Sequence, residues 1–268
     1  RNVDFVAGDC NRLVTPDKDN GQTVSWAASK SWPNQRFDEP VLSVKLTAWA
    51  TNAPPDYMVV DLVAHNTVRY YESAEFLPGG MGATNPVYKT DKLLLRRIHA
   101  TNVEWTMGAP VSESSTYWTA AETAHSVTLT EDFYMGVFPV TQRQYYRIDA
   151  SEPESFKEYD DSWFHPCQGV SWRALRGPTA GLNWPNEDRA VAHGVDASFI
   201  LGTIRSLSGV DFDLPTSAQW EFACRAGTTS AFNDGTDAGS SMPRLGWCKA
   251  DSQSRTHAVG ERAPNEWG

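Results

Sequence analysis

Phe212-Asp213-Leu214-Pro215-Thr216-Ser217-Ala218-Gln219-Trp220-Glu221-Phe222-Ala223-Cys224-Arg225-Ala226-Gly227 is the stretch that decides how this chain is read. Pro215 holds the residue before it in extended backbone. Thr216 and Gln219, three residues apart, make a capping box, in which each side chain satisfies a backbone N–H that the first helical turn leaves without a partner. The spacing predicts a short helix through Trp220, Ala223 and Cys224 that stops at Gly227, with Trp220 on its inner face as a core anchor.

The same signature occurs upstream. Thr141-Gln142-Arg143-Gln144 predicts a second capped helix. A third is expected after Asp196, with the apolar stripe Ile200, Ile204 and Leu207 ending before Gly209. Strand signals lie between these helices. Ser126 to Thr130 alternates with period two, and Phe133 to Phe138 is a strand-length apolar run in which Gly136 suits a bulge or a close backbone approach. Segregated strands and helices without regular βαβ alternation argue an α+β fold.

The first part of the chain reads differently. Thr23 to Trp26 and Val41 to Trp49 alternate as half-buried strands, and Pro16-Asp17, Asn20-Gly21 and Trp32-Pro33-Asn34 supply turns. After Pro54-Pro55, Tyr57 to Val63 and Thr67 to Glu72 are further strand candidates, followed by a loop from Leu77 to Gly82. The expected division is residues 1–90, a β-rich segment resembling the end of an Ig-like or fibronectin-type sandwich with linking strands, and residues 91–268, a second domain. Arg1 as first residue and the turn-like Ala263 to Gly268 read as a chain cut at both ends.

Composition narrows the function. The 268 residues carry 23 Lys and Arg against 33 Asp and Glu, a net charge of -10, so a phosphate-neutralising surface and nucleic-acid binding are not expected. No apolar run reaches 18 residues, so no membrane insertion is expected. Cys10, Cys167, Cys224 and Cys248 are too far apart for a CxxC pair or a zinc ribbon. They suit either one or two bridges in an exported protein or four thiols. There is no GxSxG, HExxH, GxGxxG or P-loop. The histidines at 65, 99, 125, 165, 193 and 257 stand alone and read as surface or packing residues. Glu152 to Asp161 reads as a solvated acidic face rather than a cation site, and Asn233-Asp234-Gly235-Thr236-Asp237 as a turn rather than a calcium loop, since the closing Glu is absent. Trp105, Trp118, Trp163, Trp172, Trp184, Trp247 and Trp267 sit in or beside loops, where the core role is favoured over a stacking platform.

From Leu93 onward the motifs resemble the formylglycine-generating enzyme family, the sulfatase-modifying factor domains. They are Leu93 to Ile98; Trp105 to Pro110; Glu122 to Leu129; Phe133 to Tyr145; His165-Pro166-Cys167-Gln168-Gly169-Val170-Ser171-Trp172; Phe212 to Gly227; and Thr256 to Gly260 with Pro264 to Gly268. The resemblance implies a modified C-type-lectin-type fold with long loops. Family enzymes oxidise a sulfatase cysteine to formylglycine with a copper-binding cysteine pair, which follows a segment that would begin where this chain stops. None of Cys10, Cys167, Cys224 and Cys248 aligns with that pair. In the region of a family calcium site stand Trp247-Cys248-Lys249.

The expectation is therefore an exported bacterial protein, periplasmic, cell-surface or secreted, whose sulfatase-modifying-factor-like domain is a binding or structural module for a protein or carbohydrate ligand. No catalytic or cofactor residue is assigned, calcium remains open, and the domain is expected to be incomplete at its C-terminus. The alternative is a copper-dependent formylglycine-generating oxidase that activates sulfatases, with its cysteines in a further C-terminal part.

Overall fold

A computed structural model describes residues 6–8, 10, 14, 23–31, 33, 47–64, 67–82, 85–109, 123–151, 161–177, 194–237 and 239–268. The strands are β1 (Val6–Gly8), β2 (Val24–Trp26), β3 (Tyr57–Asp61), β4 (Val68–Tyr71), β5 (Lys92–Ile98), β6 (Val103–Met107), β7 (His125–Leu129) and β8 (Phe133–Gly136). The helices are α1 (Ala28–Ser31), α2 (Gln142–Asp149), α3 (Trp172–Arg176), α4 (Ile200–Ser208), α5 (Ser217–Arg225) and α6 (Met242–Leu245).

The centre is an antiparallel sheet in the order β4-β3-β5-β8. Its middle strands are buried on both faces, which explains why Tyr57 to Val60 reads as a continuous apolar run rather than an alternation. Period two then divides the layers. Met58, Val60 and Leu95 face α2 and α4, packing on Ile148, Ile200, Leu201 and Ile204. Tyr57, Val59 and Leu94 face the opposite way, onto Leu77 and Tyr88. Farther along that second face, Ile98 and Ala100 meet Phe222 and Ala223 of α5, joined by Phe133, Met135 and Trp267. Each large apolar side chain buried in these layers contributes about 1.5–3 kcal/mol relative to exposure.

This sheet crosses the division expected near residue 90. Tyr57 pairs with Arg96 and Asp61 with Lys92, so β3 and β4 share one hydrogen-bonded system with β5 and β8. The strands taken for a link to a preceding sandwich are the inner and outer strands of the main sheet. In the N-terminal part, the described residues contain the β1–β2 ladder, with Val6 opposite Trp26. Most of the alternating stretch from Val41 lies outside the described residues, and Thr47, Ala48 and Trp49 are exposed and irregular.

The two capping boxes form as their spacing predicts, at Thr141 and Thr216. The third helix begins differently. Asp196 accepts from the N–H and hydroxyl of Ser198, at 2.9 and 2.7 Å, closing a turn that ends before the helix, and Phe199 holds the N-cap position without a side-chain bond. Gly202 makes that turn possible: a Cβ there would lie 2.2 Å from the Asp196 carbonyl oxygen. α5 ends on Ala226, in left-handed backbone at φ 48°, one residue before the expected Gly227.

Candidate functional site

The sheet, α5 and the C-terminal coil enclose a cleft of about 570 Å³. Its floor is the second face of the sheet at Arg96, Ile98 and Met135, and it runs along Gly136, Val137 and Phe138. One wall is α5, through Trp220, Ala223 and Cys224. The other is the coil from His257 to Gly268, with Trp247 at its rim.

The α5 wall is fixed from both sides. Phe222 packs at a tilt against Trp105 at 5.5 Å and against Trp267 at 5.2 Å between ring centres. Glu221 accepts from the Gly108 N–H at 2.9 Å and pairs with Arg225, which returns a bond to the Gly108 carbonyl. At the end of the helix Asn265 donates to the carbonyls of Ala223 and Cys224 and accepts from the Trp267 N–H. The motif at the end of the chain thus caps the helix that opened the sequence reading.

Trp220 does not anchor the core. It is 59% exposed, while Phe222, Ala223 and Ala226 carry the packing. At spacings of three and four residues it shares a side with Ala223 and Cys224, which puts it at the margin of the packed face, on the cleft wall.

The opposite wall holds a column of rings that the isolated histidines gave no sign of. His165 is almost wholly buried, with Nδ1 3.0 Å from Thr256 Oγ1 and Nε2 3.0 Å from Asp161 Oδ1. Its ring lies 6.4 Å from that of His257, which stacks on Trp247 at 3.7 Å. The Arg262 guanidinium covers the other face of Trp247 at 3.4 Å and pairs with Asp251. Both faces of Trp247 are therefore occupied, which leaves its edge to the cleft. The loop tryptophans split accordingly. Trp105 and Trp267 pack on α5, Trp163 meets Tyr146 and Arg143, Trp172 meets Arg176, and Trp118 and Trp184 lie outside the described residues.

The polar groups of the candidate cation loop bind one another. Asp234 accepts from the N–H and hydroxyl of Thr236, and Arg244 closes on its second oxygen at 2.5 Å; Asp237 accepts from Ala231 N–H. Burial works against the Asp234 carboxylate, but these bonds, with Ser241, hold it down at about 2. The Arg244 guanidinium thus takes up one carboxylate of this turn. Near Trp247, Asp251 likewise accepts from Cys248 N–H and pairs with Arg262.

The cysteines are free thiols. Burial pushes Cys167 up to about 11, and it raises Cys224, helped by Glu221 and opposed by Arg225. Among the described residues no three His, Cys, Asp or Glu side chains gather as metal ligands. No helix there is long and apolar enough to cross a membrane. Of the acidic run at 152–161, Asp161 is described, and it serves His165.

The Sulfatase-modifying factor enzyme 1-like domain matches residues 98–268. The chain belongs to that family. Within this sulfatase-modifying factor domain, the motifs at Trp105, His165, Phe212, Thr256 and Pro264 are the ones that build the cleft and its walls. Comparison with curated proteins gives no match. Among solved structures the chain is similar to Treponema denticola variable protein 1, at 20% identity and a TM-score of 0.46, covering 66% of this chain and 68% of that one.

Proposed function

We propose that the chain is an exported bacterial protein whose sulfatase-modifying-factor-like domain, on a modified C-type-lectin-type scaffold behind a β-rich N-terminal segment, acts as a binding module without its own catalytic cysteine pair. The observation that carries this reading is the cleft. Its lining is mainly apolar, Trp220 stands exposed on its wall, and Asn265, Asp251 and Arg262 spend polar groups on holding the walls in shape. A preformed concave surface with few uncommitted polar groups suits recognition of a ligand.

Family membership keeps the copper-dependent formylglycine-generating oxidase as the competing reading. The test is incubation of the purified protein with a cysteine-containing sulfatase-derived peptide, copper and oxygen, followed by mass spectrometry for formylglycine. The binding-module reading expects the peptide cysteine to stay unconverted; sustained turnover would overturn it.

A further inference from the structure

His99 stands where the chain enters the main sheet, and each of its ring nitrogens meets a different carboxylate. Nε2 lies 2.9 Å from Asp56 Oδ1, and Nδ1 lies 3.4 Å from Asp132 Oδ2. Asp56 follows Pro54-Pro55 and leads into β3, whereas Asp132 sits in the turn between β7 and β8. An ionised carboxylate only accepts hydrogen bonds, and a neutral imidazole carries one N–H and one lone pair. Either neutral tautomer therefore turns a lone pair toward one of the two carboxylates. Only the protonated ring, with a donor on each nitrogen, is attracted to both.

The groups around the ring leave His99 as the one that changes charge. Burial works against the Asp132 carboxylate, but its bonds to Thr101 and Ala100 and the Arg97 charge outweigh burial and hold it well below the usual range. Arginine keeps its charge throughout. Arg97 donates to Asp132 at 2.8 Å, to the Pro54 carbonyl at 2.6 Å and, from its backbone N–H, to the Asp56 carbonyl at 2.7 Å. Tyr134 on β8 donates its hydroxyl to the Pro55 carbonyl, and burial, with Tyr70, Asp56 and Asp132 nearby, pushes that hydroxyl up against the pull of Arg97. Burial also raises Tyr70 of β4, and Glu131, beside Asp132, is exposed. The carbonyls of Pro54, Pro55 and Asp56 thus have fixed donors, while among the described residues the Asp56 carboxylate is held by His99.

We infer that His99 is a pH-operated clasp: protonated, it ties the entry segment at Asp56 to the β7–β8 turn at Asp132, and on losing its proton it releases Asp56. The clasp holds on the acid side of the ring's titration and weakens as pH rises through it. The His99 side chain is 61% exposed, which limits the effect to that of an exposed ion pair. With the three carbonyls still held, the result is local opening rather than unfolding. Ile98, the residue before His99, lies on the cleft floor, so the clasp closes the end of the strand beneath the cleft. Its action does not depend on the binding-module reading.

The test follows the His99 ring by NMR and amide hydrogen exchange over one pH series on the purified 268-residue protein. The Arg97 amide, bonded to the Asp56 carbonyl, reports on the entry segment, and the Leu62 amide, bonded to the Asp91 carbonyl at the other end of β3, is the reference. Ring nitrogen shifts are expected to show both nitrogens protonated on the acid side. The Arg97 protection factor is expected to fall about two- to fivefold in step with loss of the ring proton, while that of Leu62 stays level. His99→Gln, which has no proton to lose, is expected to keep one level of Arg97 protection across the series, and Asp56→Asn to flatten the response as well. Arg97 protection that does not follow the ring, or a response that persists in His99→Gln, would overturn the inference. The wild-type series decides this however either variant folds.

Discussion

Two helices begin with the same cap, Thr141-Gln142-Arg143-Gln144 and Thr216-Ser217-Ala218-Gln219, and the two caps live in opposite surroundings. At α2 the cap is buried: Thr141 is 0% and Gln144 2% exposed. Beyond the reciprocal bonds of the box, Gln144 Nε2 donates to the carbonyls of Tyr88 and Lys92, and the Thr141 hydroxyl to that of Lys89. At α5 the box closes with the same geometry but faces solvent. One cap is a clamp between a helix and the turn leading into β5. The other only starts a helix, whose position is set farther along by Phe222 and Asn265.

The comparison breaks most visibly at Gln144. Gln144→Ala removes a cap bond and strands two buried carbonyls, so a loss of about 3–4 kcal/mol is expected in denaturant unfolding. Phe222→Ala should follow at about 3 kcal/mol, since it opens a cavity between Trp105 and Trp267. Thr216→Ala should cost only about 1 kcal/mol, because water replaces the lost hydroxyl. Equal losses at Gln144 and Thr216 would show that burial does not separate the two caps.

Acid sharpens the contrast between the closed sheet and the open cleft. Asp132 binds the N–H groups of Ala100 and Thr101, the Thr101 hydroxyl and Arg97. Burial pushes its carboxylate up, but these partners outweigh burial and hold it well below the usual range. A carboxylate depressed in the folded state contributes stability that is complete above its unfolded value, about 3.9, and is lost as pH falls through the folded one. Stability of the wild type should therefore drop as pH goes below about 4, and Asp132→Asn should be less stable at neutral pH with a shallower acid slope. A parallel acid slope in the variant would remove Asp132 from the account.

What was legible in the sequence was local. Capping boxes, the turn at Gly209 and the period-two run at Ser126 are properties of neighbouring residues, and the structure has them where the spacing put them. Partner choice was not legible. Nothing within Tyr57 to Val63 says that its strand lies between β4 and β5 rather than in a preceding sandwich, because its pairing with β5 is set by residues 31 to 39 positions away. The column of His165, His257, Trp247 and Arg262 joins residues nearly a hundred positions apart, and no spacing of neighbouring residues marks it. Trp220 was misplaced for a related reason: helical spacing orders the residues around α5, but which arc is buried depends on Trp105 and Trp267, which approach from other segments.

That misplacement yields the smallest predicted change in stability and the most direct separation of fold from function. A core tryptophan truncated to alanine costs about 3–5 kcal/mol, whereas a surface substitution stays within about 0.5 kcal/mol. Trp220 is 59% exposed, and α5 keeps its cap, its Phe222 contacts and its Asn265 bonds without it. Trp220→Ala should therefore unfold within about 0.5 kcal/mol of the wild type while losing ligands that enter the cleft. A large loss of stability would return Trp220 to the core and take the cleft wall with it. Unchanged stability with unchanged binding would leave the wall standing and move recognition to the opposite wall of the cleft.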